Sequence, residues 1–266
     1  MEKTWQEGTL LKGNVTIVFG GAGLIGKSLV QAILRQGGIA IIADHDKEKG
    51  QKTCEQIAHR DIYTLSPDFF QVDVTDKSSI QAIIKKVAEK YGKIGGMINC
   101  AYPRNKNYGK SFFEVEYKDL CENLNLHLGG FFLVAQQVGE FFIKQGYGNM
   151  INLSSIYGVV PPIFEIYDGT TMTNPIEYGL IKSALIHMNK YMAKFFKGKN
   201  IRTNTISPGG ILDGQSESFL TKYQDCCLSK GMLDTQDLHG TIIYLLSDMS
   251  KFVNGQNFIV DDGFTL

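Results

Sequence analysis

The chain has 266 residues, enough for one α/β domain with a large core and short for two of ordinary size. Hydrophobic residues make up 43% and charged residues 20%, which excludes a disordered or collagen-like chain. Lys plus Arg (27) equals Asp plus Glu (27), so there is no overall cationic surplus of the kind a sequence-independent nucleic-acid binder needs. No unbroken apolar run of about 18 residues is present, so no transmembrane helix and no membrane partner is expected. The opening MEKTWQEGTLLKGNV lacks the basic start and long apolar core of a secretory signal. The five cysteines, Cys54, Cys100, Cys121, Cys226 and Cys227, are odd in number and show no CxxC spacing. They are expected to be reduced and structural in a cytoplasmic protein, with no metal site. Glycine is in excess, 29 residues or about 11% against about 7% on average, as tight turns or close backbone–ligand approach require.

In chain order, short β-branched runs alternate with stretches of helical period. Val15 to Phe19 reads as a first strand. Gly20 to Gly26 then turns into a helix on Ile25, Leu29 and Ile33, which Gly37 and Gly38 stop. Ile39 to Ala43 is a second strand and Phe69 to Val72 a third. An amphipathic helix follows on Ile80, Ile83, Ile84, Val87 and Tyr91, then a short fourth strand, Met97 to Asn99. A long helical stretch from about Asp119 to Gln145 leads to a fifth strand near Asn149 to Leu153. A helix over roughly Ile176 to Phe196 precedes a sixth strand, Ile201 to Ile206. A last helix near Asp234 to Leu246 and a strand near Phe258 to Val260 end the chain. The pattern predicts an α/β, Rossmann-type doubly wound parallel sheet with helices on both faces, one domain over residues 1–266. Ligands of such sheets sit at the carboxyl ends of the strands.

Gly20-Gly21-Ala22-Gly23-Leu24-Ile25-Gly26 lies between the first strand and the first helix. Its glycines permit a sharp turn, and the helix behind points free N–H groups and a positive dipole end at an anion. Asp44 closes the second strand, 24 residues after Gly20. A carboxylate there accepts hydrogen bonds from the adenosine ribose and repels a 2′-phosphate, and no Arg or Lys follows it immediately. NAD is therefore favoured over NADP. A turn that serves packing alone, with Asp44 as a helix cap, is the plainer alternative.

Further stretches appear in the order found in the short-chain dehydrogenases/reductases, and the chain resembles that family from about residue 12 to its end. They are the glycine turn, Asp73-Val74, Asn99-Cys100-Ala101, Ile151-Asn152-Leu153-Ser154-Ser155, Tyr178-Gly179-Leu180-Ile181-Lys182, Asn204-Thr205-Ile206-Ser207-Pro208-Gly209, Gly255-Gln256 and Val260-Asp261-Asp262-Gly263. Tyr178 and Lys182, four apart on a helix, share a face. A phenol with an ordinary pKa of about 10 is a poor base, and an adjacent ammonium and a cationic nicotinamide should lower it. Tyr178 then exchanges a proton with the substrate oxygen, and Ser155 hydrogen-bonds that oxygen. The resemblance implies that Lys182 also bonds the nicotinamide ribose. It further implies cofactor contacts at Gly20, Gly23, Leu24, Ile25, Gly26, Asp73, Val74, Asn99, Ala101, Pro208, Gly209 and Ile211. Asp73 also suits a strand-end cap.

Four departures stand out. Phe19 precedes the first glycine where Thr is common, and the turn reads GxxGxxG. That spacing is typical of the extended branch, yet only about 55 residues follow Pro208-Gly209, which favours the compact branch. His127 occupies the register of the usual relay Asn, and reads either as its replacement or as a packed helix residue. Ser155 and Tyr178 are 23 positions apart, roughly ten more than is usual, so the segment 158–177 is expected to wall the substrate pocket. Gly210-Ile211-Leu212-Asp213 replaces the usual Thr on the nicotinamide side.

The loop Tyr102 to Gly109, the FEIYDGT insertion, SPGGI and the ending VDDGF resemble a narrower subgroup that occurs with flagellin-modification and nonulosonate sugar pathways. This implies a sugar or sugar-phosphate substrate oxidised at a secondary hydroxyl, with Tyr102 and Arg104 at the substrate. Arg104 suits an anionic substituent, and equally a solvated loop charge. The resemblance also implies a homo-oligomer, tetramer or dimer, through the helices flanking the site. A catalytically silent NAD(H) sensor or scaffold, and an isomerase holding NAD tightly, are the competing functions.

Overall fold

The computed structural model describes residues 8–59 and 65–266. Of the amino-terminal stretch read for a signal, residues 1–7 lie outside the described residues. Seven strands form one sheet: β1 (Val15–Phe19), β2 (Ile39–Asp44), β3 (Asp68–Gln71), β4 (Gly96–Asn99), β5 (Gly148–Leu153), β6 (Ile201–Pro208) and β7 (Asn257–Val260). Their order is β3-β2-β1-β4-β5-β6-β7 and every neighbouring pair is parallel. Strand order reverses direction between β1 and β4, which opens a crevice at their carboxyl ends. The expected doubly wound fold is the observed one, with strand ends displaced by one or two residues; β3, for example, starts and stops one residue earlier than its pattern suggested.

The helices are α1 (Leu24–Arg35), α2 (Lys47–Ala58), α3 (Lys77–Tyr91), α4 (Tyr117–Asn123), α5 (Gly130–Gln145), α6 (Ile176–Phe195), α7 (Glu217–Asp225) and α8 (His239–Leu246). The period-2 pleat of β1 sorts the core into two layers. Val15, Ile17 and Phe19 pack with Ile80, Ile83 and Val87 of α3, Val134 and Val138 of α5 and Met192 of α6. Val18 points the other way, to Leu29, Val30 and Ile33 of α1 and Ile242 and Leu245 of α8. Each such aliphatic side chain contributes about 1.5–3 kcal/mol on burial.

Two helices escaped the pattern reading. In α2 the buried positions are Gly50, Thr53 and Ile57, a stripe with one large apolar residue. Asp46 caps it by accepting from the Lys49 N–H at 2.9 Å. Helix α7 lies against loops and buries Phe219 and Tyr223 alone. Between α4 and α5 the helix widens into a π turn, Leu124–Gly129. The continuous run Tyr117–Gln145 is long and apolar enough to cross a bilayer, but half of its most apolar stretch is buried inside the domain, as in a core helix.

The α1–α8 contact contains a titratable pair. His239 Nε2 lies 2.7 Å from Ser28 Oγ, and burial, with the Arg35 charge, pushes its pKa down to about 4. The unfolded imidazole takes up its proton near 6.5, so protonation favours the unfolded chain as pH falls from 6.5 towards 4. Buried His127 acts in the same direction. Urea-unfolding free energies should therefore decline across that window, and His239→Gln should flatten the slope.

Candidate active site

At the carboxyl end of β1 the chain turns through Gly20, whose φ of +75° lies in the left-handed region. A Cβ there would come within 2.8 Å of the Cys100–Ala101 backbone, and one at Gly26 within 2.1 Å of Gly20 O. The turn therefore packs tightly against the β4 exit and brings α1 in close behind. No side chain caps α1 at Gly23, which leaves the N–H groups of Leu24, Ile25 and Gly26 for a ligand. Asp44, half-buried at the end of β2, accepts from Ala22 N–H at 3.0 Å through Oδ2 and from Asp46 N–H at 3.2 Å through Oδ1.

A cleft of about 520 Å³ joins Gly20, Gly23, Asp44, Asp73, Val74, Ala101, Tyr102 and Arg104. Asp73 caps its own strand end: one carboxylate oxygen accepts from Thr75 N–H and from the Thr75 hydroxyl. It also lines the cleft, so both expectations for it describe the same residue. Asn99 is fully buried; its amide oxygen accepts from Ala101 N–H at 3.2 Å, so it shapes the loop. Uncapped donors, a carboxylate at ribose position and a cleft of ligand size fit a nicotinamide dinucleotide. On the far side Pro208 ends β6, Gly209 N–H donates to Val260 O, and half-buried Ile211 pairs with Leu233.

Ser155, Tyr178 and Lys182 come together at the end of β5. Lys182 Nζ donates to Leu153 O at 3.0 Å, and its own carbonyl accepts from Ser154 Oγ at 2.7 Å. Gly158 makes this approach feasible, since a Cβ there would lie 2.6 Å from the Lys182 carbonyl carbon. Nζ sits 5.5 Å from the Tyr178 ring centre. Burial pushes the Tyr178 phenol up to about 12, and its hydrogen bond with Ser155 pulls the other way. Burial also brings Lys182 down to about 7. In the protein alone desolvation thus outweighs the Ser155 hydrogen bond; the lowering expected from the sequence is for a site that also holds a cationic nicotinamide.

His127, on the π turn, is 1% exposed, and neither ring nitrogen has a partner among the described residues. Its ring meets those of Tyr102 at 4.9 Å and Phe131 at 5.4 Å, and Lys182 Nζ lies over the same two rings at 5.8 and 5.6 Å. Burial, then the charges of Lys182 and Arg104, hold it well below the ordinary histidine range, so it is neutral. The Arg104 guanidinium stacks over Tyr102 at 4.7 Å.

The segment 158–177 folds back beside the residues that follow β5, where Tyr167 Oη donates to Tyr157 Oη at 3.0 Å. Its turn Phe164–Tyr167 is tied to α7 by Lys222 Nζ, which donates to Asp168 O at 2.7 Å and Glu165 O at 3.3 Å. Ile166 packs with Phe219, Tyr223, Met232 and Phe264. The chain end fastens the same wall: Asp262 accepts from Ser229 Oγ and the N–H groups of Ser229 and Gly231, which holds its carboxyl down to about 2. Sequence reasoning missed Tyr157, Tyr223 and Asp262 as parts of this wall; the VDDGF ending was the one signal for any of them.

A family model described as Enoyl-(Acyl carrier protein) reductase matches residues 21–265. The chain belongs to the short-chain dehydrogenase/reductase family, is an oxidoreductase of that type, and takes a nicotinamide dinucleotide. It is 46% identical to post-translational flagellin modification protein A of Campylobacter coli, over 97% of this chain and all of that one. It is 30% identical to a 3-oxoacyl-(acyl-carrier-protein) reductase of Thermotoga maritima, over 96% of this chain and 99% of that one. A short-chain dehydrogenase of Leptospira borgpetersenii, solved with bound NAD+, superposes with a TM-score of 0.82 at 27% identity, over 97% of this chain and 94% of that one.

Gly20→Ala places a Cβ at a left-handed φ against the β4 backbone. It should destabilise the fold by about 1–3 kcal/mol in urea titrations and weaken NADH binding measured by fluorescence.

Proposed function

We propose that the chain is an NAD-preferring dehydrogenase/reductase acting on a secondary alcohol or ketone of a sugar or sugar phosphate, in the making of a flagellin or surface glycan. The observation that carries this is the meeting of Ser155, Tyr178 and Lys182 at one strand end, beside the cleft that holds Asp44 and the glycine turn. The flagellin-modification relative, matched over its whole length, supports the glycan context.

In the oxidation direction, Tyr178 takes the proton of the substrate hydroxyl, and the Ser155 hydroxyl holds the same oxygen as it becomes a carbonyl. Lys182 has one of its three N–H bonds committed to Leu153 O; the other two serve the ribose and stabilise the phenolate. Bound NAD+ supplies the hydride acceptor and a positive charge that favours the ionised phenol. The substrate carbon loses a hydride, the oxygen loses a proton to Tyr178, and a ketone remains. Gly20, Gly23, Leu24, Ile25 and Gly26 hold the pyrophosphate and Asp44 the adenosine ribose. Asp73, Val74, Asn99 and Ala101 form the adenosine side, and Pro208, Gly209 and Ile211 the nicotinamide side. Tyr102 and Arg104 border the substrate.

Asp44 carries the preference for NAD, because a 2′-phosphate would meet its carboxylate. Exposed Phe132, Tyr191 and Phe195 border an apolar groove on the outer faces of α5 and α6, which supports a homo-oligomer, tetramer or dimer, formed there. Use of NAD and five unpaired cysteines support a cytoplasmic location.

Tyr178→Phe should lower kcat on a sugar-type substrate at least about a hundredfold, the scale of a lost acid/base group, with NADH affinity retained. Asp44→Ala should move the NAD-to-NADP ratio of kcat/KM towards NADP. Full activity in Tyr178→Phe would sink the assignment.

A further inference from the structure

Tyr178 stands between two other phenols. The Tyr102 ring, from the β4 loop, meets it edge-on at 5.9 Å; the Tyr157 ring, from beyond β5, meets it edge-on at 6.5 Å. Each flanking phenol is hydrogen-bonded to one more. Tyr102 Oη donates to Tyr108 Oη at 2.7 Å. On the other side the direction is reversed: Asn174 Nδ2 donates to Tyr167 Oη at 3.2 Å, and Tyr167 Oη donates to Tyr157 Oη at 3.0 Å.

These directions leave different atoms available. Tyr102 commits its O–H to Tyr108, so what it offers a further partner is a lone pair. Tyr157 Oη accepts a hydrogen bond from Tyr167, so its own O–H remains to be given. Burial raises the pKa of both above the ordinary phenol value, so both keep their protons at neutral pH. Tyr157 is half-buried, and three elements hold it. Its N–H donates to Ser155 Oγ at 3.2 Å, its ring meets Phe264 edge-on at 6.3 Å, and Tyr167 behind it packs on Phe219 at 5.3 Å. A fixed, partly open donor on one side of the acid/base phenol and a fixed acceptor on the other describe a reader of what stands next to the reacting carbinol.

We propose that Tyr157, oriented by Tyr167 and Asn174, is a substrate-binding residue that donates to an oxygen on the carbon adjacent to the reacting carbinol, while Tyr102 accepts from a hydroxyl on the other adjacent carbon. The substrate class is then an internal secondary alcohol with oxygen-bearing carbons on both sides, as in a polyol or a sugar ring, and not an isolated or terminal alcohol. This rests on the oxidoreductase reading above and narrows its substrate. A hydroxyl suits both neighbours because it donates and accepts. Tyr167 and Asn174 are positioning residues, and both belong to the segment that lengthens the Ser155–Tyr178 spacing.

The test compares cyclohexanol, 1,2-cyclohexanediol and 1,2,3-cyclohexanetriol as probes, with NAD+, in the wild type, Tyr157→Phe and Tyr167→Phe. Thermal stabilisation of the enzyme–NADH complex by the same three compounds is read alongside. In the wild type, kcat/KM should rise from the monol to the triol by at least about tenfold. Tyr157→Phe should shrink the triol-to-monol ratio about five- to tenfold, chiefly through KM, the scale of one lost neutral hydrogen bond. Tyr167→Phe, which still permits the contact but no longer orients it, should shrink the ratio less. It carries the comparison if Tyr157→Phe fails to bind NADH. Equal kcat/KM for monol and triol in the wild type, or an unchanged ratio in Tyr157→Phe, overturns the proposal. If no compound is oxidised but stabilisation is selective for the triol and falls in Tyr157→Phe, the redox reading fails and the assignment of Tyr157 stands. Stabilisation equal for all three compounds, or absent for all, overturns it without turnover.

Discussion

The site depends on how closely α6 lies against the exit of β5. Lys182 is where they meet, its ammonium on Leu153 O and its carbonyl under Ser154 Oγ, with the bare Cα of Gly158 filling the remaining space. These contacts set the distance from Ser155, two residues past the strand, to Tyr178, one turn earlier than Lys182 on the helix. A buried ammonium is costly to desolvate, and the backbone hydrogen bond and surrounding aromatic rings only partly offset that cost. The uncompensated part of that cost is what brings the Lys182 pKa down to about 7.

The same economy of position applies to the cofactor side. The strand-order reversal between β1 and β4 opens the crevice, and the tight Gly20 turn brings the uncapped start of α1 to it. Asp44, Val74 and Ala101 reach the cleft because their strands all stop on this edge of the sheet. A parallel sheet gathers at one edge residues that are far apart in the chain, and chemistry then depends on which side chains stand at the strand ends.

Much of this was legible in the sequence. β1, buried at every residue, announced itself as a β-branched run ending in Phe19, and the Gly20–Gly26 turn, Asp44 at the end of β2, and Tyr178 and Lys182 on one helix were all visible as local patterns. Helix α2 was not legible, because Gly50, Thr53 and Ile57 make too weak a stripe, and α7 because its buried residues face loops. The pairing of Tyr157 with Tyr167 depends on a fold-back of the 158–177 segment that no periodicity records. The raised pKa of Tyr178 in the protein alone was not legible, because spacing reveals a neighbouring charge but not the depth of burial. The widened turn at Leu124–Gly129, on which His127 meets Tyr102, has no periodic signature in the sequence.

Lys222 holds the Phe164–Tyr167 turn through backbone carbonyls, those of Glu165 and Asp168, and not through their side chains. Every residue type offers the same carbonyl, so the attachment does not depend on what stands at positions 165 and 168. The wall can therefore change its chemistry residue by residue while its mooring to α7 stays the same. In a lineage whose enzymes meet varied substrates, such a segment offers a route to new specificity that leaves Ser155, Tyr178 and Lys182 undisturbed.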